Sequence, residues 1–271
     1  MLPLHGIRVV SIAQNVPGPL AVAKLRAAGA SVIKIEPPAG DPLEGFCPSW
    51  YEELHRDTVV ERLDLKSGAG DERMQSVLAD ADLFVASQRP AALTRLRLDV
   101  ATLLVSHRAT AHLRWLNIVG ERAHPEVAGH DLTYLARAGL LGSEVPRTLI
   151  ADVLGAEAAY ARALLLLREA PGSSAEVGLY DSLAPLIAAR TYGLTGPGTL
   201  LGGAYSGYAI YRAREGRVAV AALEPHFRAQ LFGELGQPDG ADLTAVFAAR
   251  SAAEWQAWAR QRDLPLTAVA D

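Results

Sequence analysis

The stretch that decides the fold runs from Ile7 to Glu36 and reads IRVVSIAQNVPGPLAVAKLRAAGASVIKIE. Its first part, IRVVSIA, is apolar and β-branched, as expected of a buried strand. The next part, GPLAVAKLRAAG, has apolar residues at helical spacing and ends at Gly29, a natural helix stop. The last part, SVIKIE, is a second strand, closed by Pro37 and Pro38. A strand, a helix and a strand in this order predict a parallel sheet.

The loop between the first strand and the helix reads QNVPGP, residues 14–19. A dinucleotide-binding fold would carry the fingerprint G-x-G-x-x-G at this place. Two prolines and a single glycine make a different loop. The sequence therefore predicts no nicotinamide cofactor.

Strand and helix patterns alternate up to residue 194, and this alternation predicts a Rossmann-like α/β domain over residues 1–194. We predict helices over 68–81, 90–105, 129–142 and 155–170, and strands over 82–87, 113–120 and 147–151. The segment 175–193 begins extended and ends helical.

The alternation of strand and helix patterns stops at Thr195. The segment TGPGTLLGGAYSGY that begins there holds five glycines, which predicts a loop or linker. Two alternating strands follow around Glu215 and Gly216, which is typical of a hairpin. Helical patterns cover 225–236 and 251–263. Residues 195–271 are therefore predicted to form a smaller α+β domain.

Composition restricts the class of protein. The 271 residues carry a formal charge of −4 without a Lys/Arg run, so a nucleic-acid partner is not expected. Cys47 is the single cysteine, which excludes an intrachain disulfide and suits a reducing, cytoplasmic location. The N-terminus lacks a signal-peptide pattern, and no apolar run reaches the length of a membrane span. No H-E-x-x-H motif occurs, so no metal site is predicted. The glycine-rich stretch GPGTLLGG lacks the Gly-Lys-Ser/Thr ending of a P-loop.

Four residues could carry chemistry, and each also has a plain structural interpretation. His130 and Asp131 stand at the start of the predicted helix 129–142, where Asp131 could simply cap the helix. Asp152 follows a predicted strand, and ligand sites gather at the carboxyl ends of parallel strands. It could equally be a turn aspartate. Glu224 ends the hairpin and precedes Pro225, so it could be a solvated charge.

Seven segments, in this order, resemble the family III CoA-transferases of the CaiB/BaiF type, which include formyl-CoA transferase and α-methylacyl-CoA racemase. They are PLHGIRVVSIAQNVPGPLAVAKLRAAGASVIKIEPPAGDPL, LDLKSGAG, ADLFVASQRPAALTRLRLD, AGHDLTYLARAGLL, LIADVLGAEAAYARALLLL, AEVGLYDSLAPLIA and YAIYRAREGRVAVAALEPHF. The resemblance implies a large Rossmann-like domain and a small domain. It also implies an interlocked homodimer, with each active site between the large domain of one subunit and the small domain of the other.

The resemblance assigns roles to the candidate residues. Transferases of the family use the aspartate of a G-x-D motif as nucleophile, and Asp131 occupies that position. Racemases carry G-H-D, a later aspartate and a glutamate in an IEPQF-like segment, which match His130, Asp152 and Glu224 in LEPHF. The sequence thus favours an acyl-CoA racemase or epimerase. The alternatives are CoA transfer through an Asp131 acyl anhydride and a non-catalytic CoA-binding protein.

The racemase assignment makes chemical sense. Inversion of the carbon α to a thioester needs a base on one face and an acid on the other. Histidine and aspartate, the types of His130 and Asp152, are side chains whose pKa values the surroundings can bring close to neutral pH. Glu224 would orient His130 and favour its imidazolium form. The enolate-like oxygen would need amide donors, which a helix N-terminus can supply.

Coenzyme A would be part of the substrate rather than a bound cofactor. The family's ENFRPG segment is ASQRPA here, so Ser87 and Gln88 replace an Asn-Phe pair that helps to hold CoA. The chain stops at LPLTAVAD, where members of the family go on and return to the large domain. By resemblance, the residues that would contact CoA are Val16, Pro17, Leu63, Lys66, Ser87, Gln88, Arg89 and Arg95.

Overall fold

A computed structural model of the protein describes residues 1–106 and 109–270, so that Asp271, the last residue of the predicted small domain, lies outside the described residues. The chain forms two compact units that divide between Pro185 and Leu186. The sequence pattern puts the division between residues 194 and 195. Within the described residues, no helix combines the length and the apolar character that a membrane span requires.

The first unit is built on a six-stranded sheet in which every neighbouring pair is parallel. The strand order is β3-β2-β1-β4-β5-β6, which confirms the predicted Rossmann-like architecture. The order reverses between β1 and β4, and in such sheets ligands bind at the carboxyl ends of the strands beside this point. The strands are β1 (Arg8–Ser11), β2 (Ser31–Glu36), β3 (Val59–Arg62), β4 (Leu83–Ala86), β5 (Arg114–Val119) and β6 (Ser174–Gly178).

Helices connect the strands of this sheet. A π-helical segment (Ala101–Ser106) and a 3₁₀ turn (Asp181–Leu183) accompany them. The helices are α1 (Pro17–Ala27), α2 (Pro42–Phe46), α3 (Pro48–Leu54), α4 (Gly68–Ala79), α5 (Pro90–Arg95), α6 (Asp131–Ala138) and α7 (Ile150–Leu166). The helix α8 (Ala184–Thr191) follows the last strand, and the division between the two units falls within it.

The core of the first unit lies around the central strands. All four residues of β4 are buried, as is typical of a parallel strand covered on both faces. Phe84 and Leu83 have no exposed surface, and full burial of such a side chain stabilises the fold by roughly 1.5–3 kcal/mol. This rigid centre fixes the ends of β1, β4 and β5, from which the loops of the candidate site extend.

Two predicted elements are wrong. The strand over 147–151 does not form, because α7 already begins at Ile150. Its small residues Ala151, Gly155, Ala156, Ala159 and Ala163 are buried at helical spacing, so this stretch gains more from a helix than from a short strand. The helix over 90–105 ends at Arg95, because Arg97 adopts a left-handed conformation with φ 58°.

The second unit contains a three-stranded antiparallel sheet in the order β7-β8-β9. Gly216, with φ 77°, allows the tight turn of the β7–β8 hairpin that the sequence predicts. Phe247 and Trp255 pack in its core, with ring centroids 5.1 Å apart. Its elements are a 3₁₀ turn (Leu200–Gly202), β7 (Tyr208–Arg212), β8 (Arg217–Ala221), α9 (Pro225–Glu234), α10 (Thr244–Phe247), α11 (Ala252–Arg260) and β9 (Leu266–Ala268).

Candidate active site

A cavity of about 150 Å³ lies at the carboxyl ends of β1, β4 and β5, beside the point where the strand order reverses. His130 and Asp152, which are distant in sequence, both line it. We name it the catalytic cavity. Its walls are formed by Gln14, Asn15, Pro17, Ser87, Gln88, Arg89, Ile118, Val119, Gly120, Pro125, Val127, Gly129, His130, Tyr134, Asp152 and Leu179.

His130 is the residue that caps the N-terminus of α6, with an extended backbone. Its backbone N–H donates to Oγ1 of Thr133 at 3.0 Å, and the Thr133 hydroxyl donates to the carbonyl oxygen of His130 at 2.8 Å. These two bonds fix the backbone of His130 on the first turn of the helix. The exposed imidazole stands at the cavity wall, where it can reach a bound molecule.

Asp131 does not cap its own helix, contrary to the structural interpretation of the sequence. It is the first residue of α6, and its Oδ1 accepts a hydrogen bond from the backbone N–H of Asp152 at 3.0 Å. Asp152 is the third residue of α7, so Asp131 satisfies an N–H group that α7 itself leaves unpaired. Asp131 is 6% exposed, and the described residues that line the catalytic cavity do not include it.

Asp152 lies in the first turn of α7 rather than at the end of a strand. Burial raises the pKa of its carboxyl group to about 6, and the neighbouring charge of Asp131 adds to the shift. A carboxyl group with this pKa holds or releases a proton near neutral pH. Asp152 can therefore serve as a general acid or base toward a molecule in the cavity.

Tyr134 is a cavity residue that the sequence analysis misses. It is 5% exposed and lies four residues after His130, hence on the same face of α6. Burial is the main cause that raises the pKa of its hydroxyl group, and the charge of Asp152 contributes. Spacing from His130 is the signal that could have identified it.

The loops after β1 and β4 are joined through Ser87 and Gln88. The backbone N–H of Gln14 donates to Oγ of Ser87 at 2.9 Å, and Nε2 of Gln88 donates to the carbonyl oxygen of Ile12 at 2.8 Å. Nδ2 of Asn117 donates to the carbonyl oxygen of Gln88 at 3.1 Å. Ser87 and Gln88 thus hold the cavity wall together.

A second cavity, of about 240 Å³, shares Gln14 and Gln88 with the catalytic cavity. We name it the lysine cavity, because Lys66 lines it together with Leu63. Lys66 is exposed, and the carboxylate of Asp64 lines the same cavity. A long molecule could therefore extend from Lys66 past the two glutamines to His130.

The remaining predicted CoA contacts are distributed differently. Pro17 and Arg89 line the catalytic cavity. Val16 is 6% exposed at the N-cap of α1, with its side chain in a small apolar cluster. Arg95 is exposed at the last turn of α5. Glu224 belongs to the second unit, where it is exposed at the N-cap of α9.

A buried ion cluster supports the loop that carries Asn15. The ammonium group of Lys34 lies 2.5 Å from Oδ2 of Asp41, 3.1 Å from Oε1 of Glu36 and 2.7 Å from Nε2 of His55. Glu36, Asp41 and His55 have the spacing of a metal site, but Lys34 already supplies the cation that they surround. Oδ1 of Asp41 accepts the backbone N–H of Asn15 at 2.9 Å, which fixes the left-handed Asn15 at the cavity.

Lys34 also determines the state of His55. Burial and the neighbouring Lys34 charge lower the pKa of the imidazole, so the ring is neutral near pH 7. Because Lys34 donates to Nε2, the ring proton is on Nδ1 and is donated to the carbonyl oxygen of Tyr51 at 2.7 Å. Both ring nitrogens of His55 are thus hydrogen-bonded, while Oε2 of Glu36 is buried without a hydrogen-bond partner and lies 3.5 Å from Nε of Arg62.

Comparison with known proteins gives a consistent set of relatives. The family model described as CoA-transferase family III matches residues 4–271. The α-methylacyl-CoA racemase of Mus musculus is 28% identical over 289 residues, which cover 93% of this chain and 74% of that protein. The cinnamoyl-CoA:phenyllactate CoA-transferase of Clostridium sporogenes is 30% identical over 152 residues, 51% of this chain and 36% of that protein.

The fold has a close counterpart among solved structures. A hypothetical protein from Mycobacterium tuberculosis superposes with a TM-score of 0.84 at 21% identity, over 100% of this chain and 84% of that chain. At this identity the likeness shows the shared fold.

Proposed function

Because the chain belongs to the CoA-transferase family III, we propose that it is an acyl-CoA racemase or epimerase that inverts the carbon α to a CoA thioester. The observation that carries the proposal is the presence of His130 and Asp152 in one cavity. The similarity to the mouse racemase, which extends over 93% of this chain, adds support.

The reaction would be a 1,1-proton transfer. One of the two groups removes the α-proton, the electron pair moves toward the thioester oxygen, and the other group returns a proton on the opposite face. A carboxyl group with a pKa of about 6, as in Asp152, suits both directions of such a transfer near neutral pH. The exposed imidazole of His130 would be the second proton carrier.

The substrate's CoA portion would occupy the lysine cavity. Lys66 there offers a positive charge to a phosphate group, and the glutamines shared by both cavities would lie along the pantetheine arm. Arg89 lines the catalytic cavity, so its guanidinium group would act near the thioester end.

A CoA-transferase is the second candidate, favoured by the Clostridium relative. This function requires the carboxylate of Asp131 to attack the thioester carbon and become acylated. Asp131 is buried and accepts the Asp152 N–H. Asp131 is not one of the described residues that line the catalytic cavity, whereas His130 and Asp152 both are, so the racemase is the better supported proposal.

We also propose that Glu224 reaches His130 within an interlocked homodimer. The family resemblance supports this arrangement, and the exposed position of Glu224 leaves its carboxylate free for such a contact. The glutamate would favour the imidazolium form of His130.

The deciding experiment is incubation with a 2-methyl-branched acyl-CoA in D₂O, followed by proton NMR. A racemase replaces the α-proton by deuterium and brings both epimers to equilibrium. Transfer of CoA to an added carboxylate without α-exchange would establish the transferase instead. Binding of CoA with neither reaction would identify a non-catalytic CoA-binding protein.

A further inference from the structure

The hydroxyl group of Tyr134 has a place prepared for it by two glycines. Gly120 follows β5 and Gly129 precedes α6, so they come from different parts of the cavity wall. A Cβ atom would lie 2.2 Å from the Tyr134 oxygen at Gly120 and 2.6 Å from it at Gly129. Any side chain at either position would collide with the hydroxyl, so both glycines keep room for it.

Among residues 1–106 and 109–270, this hydroxyl is not one of the fully buried unpaired atoms, so its oxygen is accessible beside the cavity that Tyr134 lines. An accessible phenol hydroxyl at a cavity wall can donate a hydrogen bond to a molecule bound in that cavity. Burial and the negative charge of Asp152 both raise the pKa of the phenol, while Arg137 and Arg89 act in the opposite direction. Tyr134 therefore keeps its proton near neutral pH and is a donor.

We propose that Tyr134 is a further catalytic residue, whose hydroxyl donates a hydrogen bond to the thioester oxygen of the bound acyl-CoA. The proposal rests on the proposed function. It assigns the stabilisation of the enolate-like oxygen to this side chain, whereas the sequence suggested backbone amides of a helix N-terminus. When the α-proton leaves, its electron pair forms a carbon–carbon double bond and the carbonyl electrons move onto oxygen. The proton of Tyr134 stays on the phenol, and its hydrogen bond strengthens as the oxygen becomes negative.

The test compares two ligands that differ only at the carbonyl group. Calorimetry would measure binding of a saturated acyl-CoA thioester and of the CoA thioether with the same carbon skeleton, whose CH₂ group replaces C=O. We expect wild-type protein to prefer the thioester by about 3- to 10-fold, the contribution of one net hydrogen bond, and Tyr134→Phe to lose this preference. Exchange of the α-proton should fall by roughly 10²–10³-fold in the same variant.

Tyr160→Phe is the matched control, because it also removes one phenol hydroxyl. Tyr160 lies on α7 beside Lys24, away from the residues that line the catalytic cavity. If Tyr134→Phe fails to fold, Gly120→Ala provides the second variant, since its methyl group must displace the hydroxyl and should remove the same preference.

The outcomes separate this proposal from the proposed function. Retention of the thioester preference in folded Tyr134→Phe overturns the Tyr134 assignment, whatever the enzyme catalyses. Equal binding of both ligands by wild-type protein overturns it as well. Absence of α-exchange in wild-type protein overturns the racemase, while loss of the thioester preference in Tyr134→Phe would still support the hydrogen bond.

Discussion

The carboxylate of Asp131 accepts a hydrogen bond from the backbone N–H of Asp152 at 3.0 Å, so that one candidate acid caps the helix that carries the other. This contact joins the start of α6 to the start of α7. It also brings a negative charge near the Asp152 carboxyl group, whose pKa it helps to raise. The two aspartates therefore act on the site together, although only Asp152 lines the cavity.

Exchange of the α-proton should distinguish the two aspartates. Asp131→Asn keeps an oxygen that can accept the Asp152 N–H, so the variant should fold and retain appreciable exchange. Asp152→Asn cannot carry a proton and should stop exchange. The measurement is deuterium incorporation by NMR, with thermal melts to check folding. An inactive Asp131→Asn beside an active Asp152→Asn would favour the transferase.

Stability should depend on the pH through Asp152. Its pKa in the folded protein is about 6, above the ordinary value of 3.8, so the protonated side chain stabilises the fold below about pH 4. This contribution is lost as the pH rises from about 4 to 6. The unfolding free energy of Asp152→Asn minus that of wild type should therefore rise by about 2–3 kcal/mol between pH 4 and pH 7. Urea unfolding at the two pH values would measure this difference. Glu52→Gln, at an exposed carboxyl group, is the control and should show no such gain.

Mixed subunits should test the shared active site. His130→Ala should lower exchange by about 10²–10⁴-fold with little change in CoA affinity. In an interlocked dimer of His130→Ala and Glu224→Gln subunits, one of the two sites has both residues intact. Refolding an equal mixture should therefore restore about a quarter of the wild-type activity, since half of the dimers are mixed. Activity equal to the mean of the separate variants would contradict the arrangement.

Affinity for CoA should depend on the lysine cavity. Lys66→Ala removes an exposed ammonium group, so we expect binding to weaken by about 1 kcal/mol, or roughly fivefold, with a reduced dependence on salt. Arg95→Ala serves as a comparison at the last turn of α5. The measurement is calorimetric titration with CoA at two salt concentrations. Unchanged affinity in Lys66→Ala would remove this cavity as the CoA site.

Substitution of Lys34 should lower the stability of the protein, because Lys34 is the cation of the buried ion cluster. Lys34→Met leaves the carboxylates of Glu36 and Asp41 buried without their shared cation, at a cost of about 3–5 kcal/mol. Urea unfolding would measure the loss, with Lys66→Met as the exposed-lysine control. A change below about 1 kcal/mol would mean that the carboxylates bind protons instead.

Local periodicity predicts β1, β2, β4 and β5, because each of these strands has its own buried apolar residues. It misses β3, which lies at the edge of the sheet and is largely exposed. It fails at residues 147–151, where a short apolar run fits a strand or a helix equally well, and the buried small residues of α7 decide. It also fails to pair Asp131 with Asp152, because that hydrogen bond joins two helices 21 residues apart in sequence.

The pattern of charges along the sequence likewise does not predict the buried ion cluster. The sequence analysis does not single out Lys34, Glu36 or Asp41, and only the folded loop after β2 brings them together with His55. The pattern of the helix α6 does contain Tyr134, four residues after His130, but its role depends on the two glycines that the fold brings beside it. Family resemblance identifies His130 and Asp152 as candidates, and the geometry adds that both line one cavity.

The hydrogen bonds between the loops after β1 and β4 have a kinetic consequence. Gln14 is bonded to Ser87, and Gln88 is bonded to Ile12, so hydrogen bonds within the chain order this wall. An arriving substrate would thus meet a wall that is already ordered, and little chain entropy would be lost on association. Stopped-flow traces should then show one exponential whose rate rises linearly with ligand concentration, rather than levelling off at the speed of a loop rearrangement.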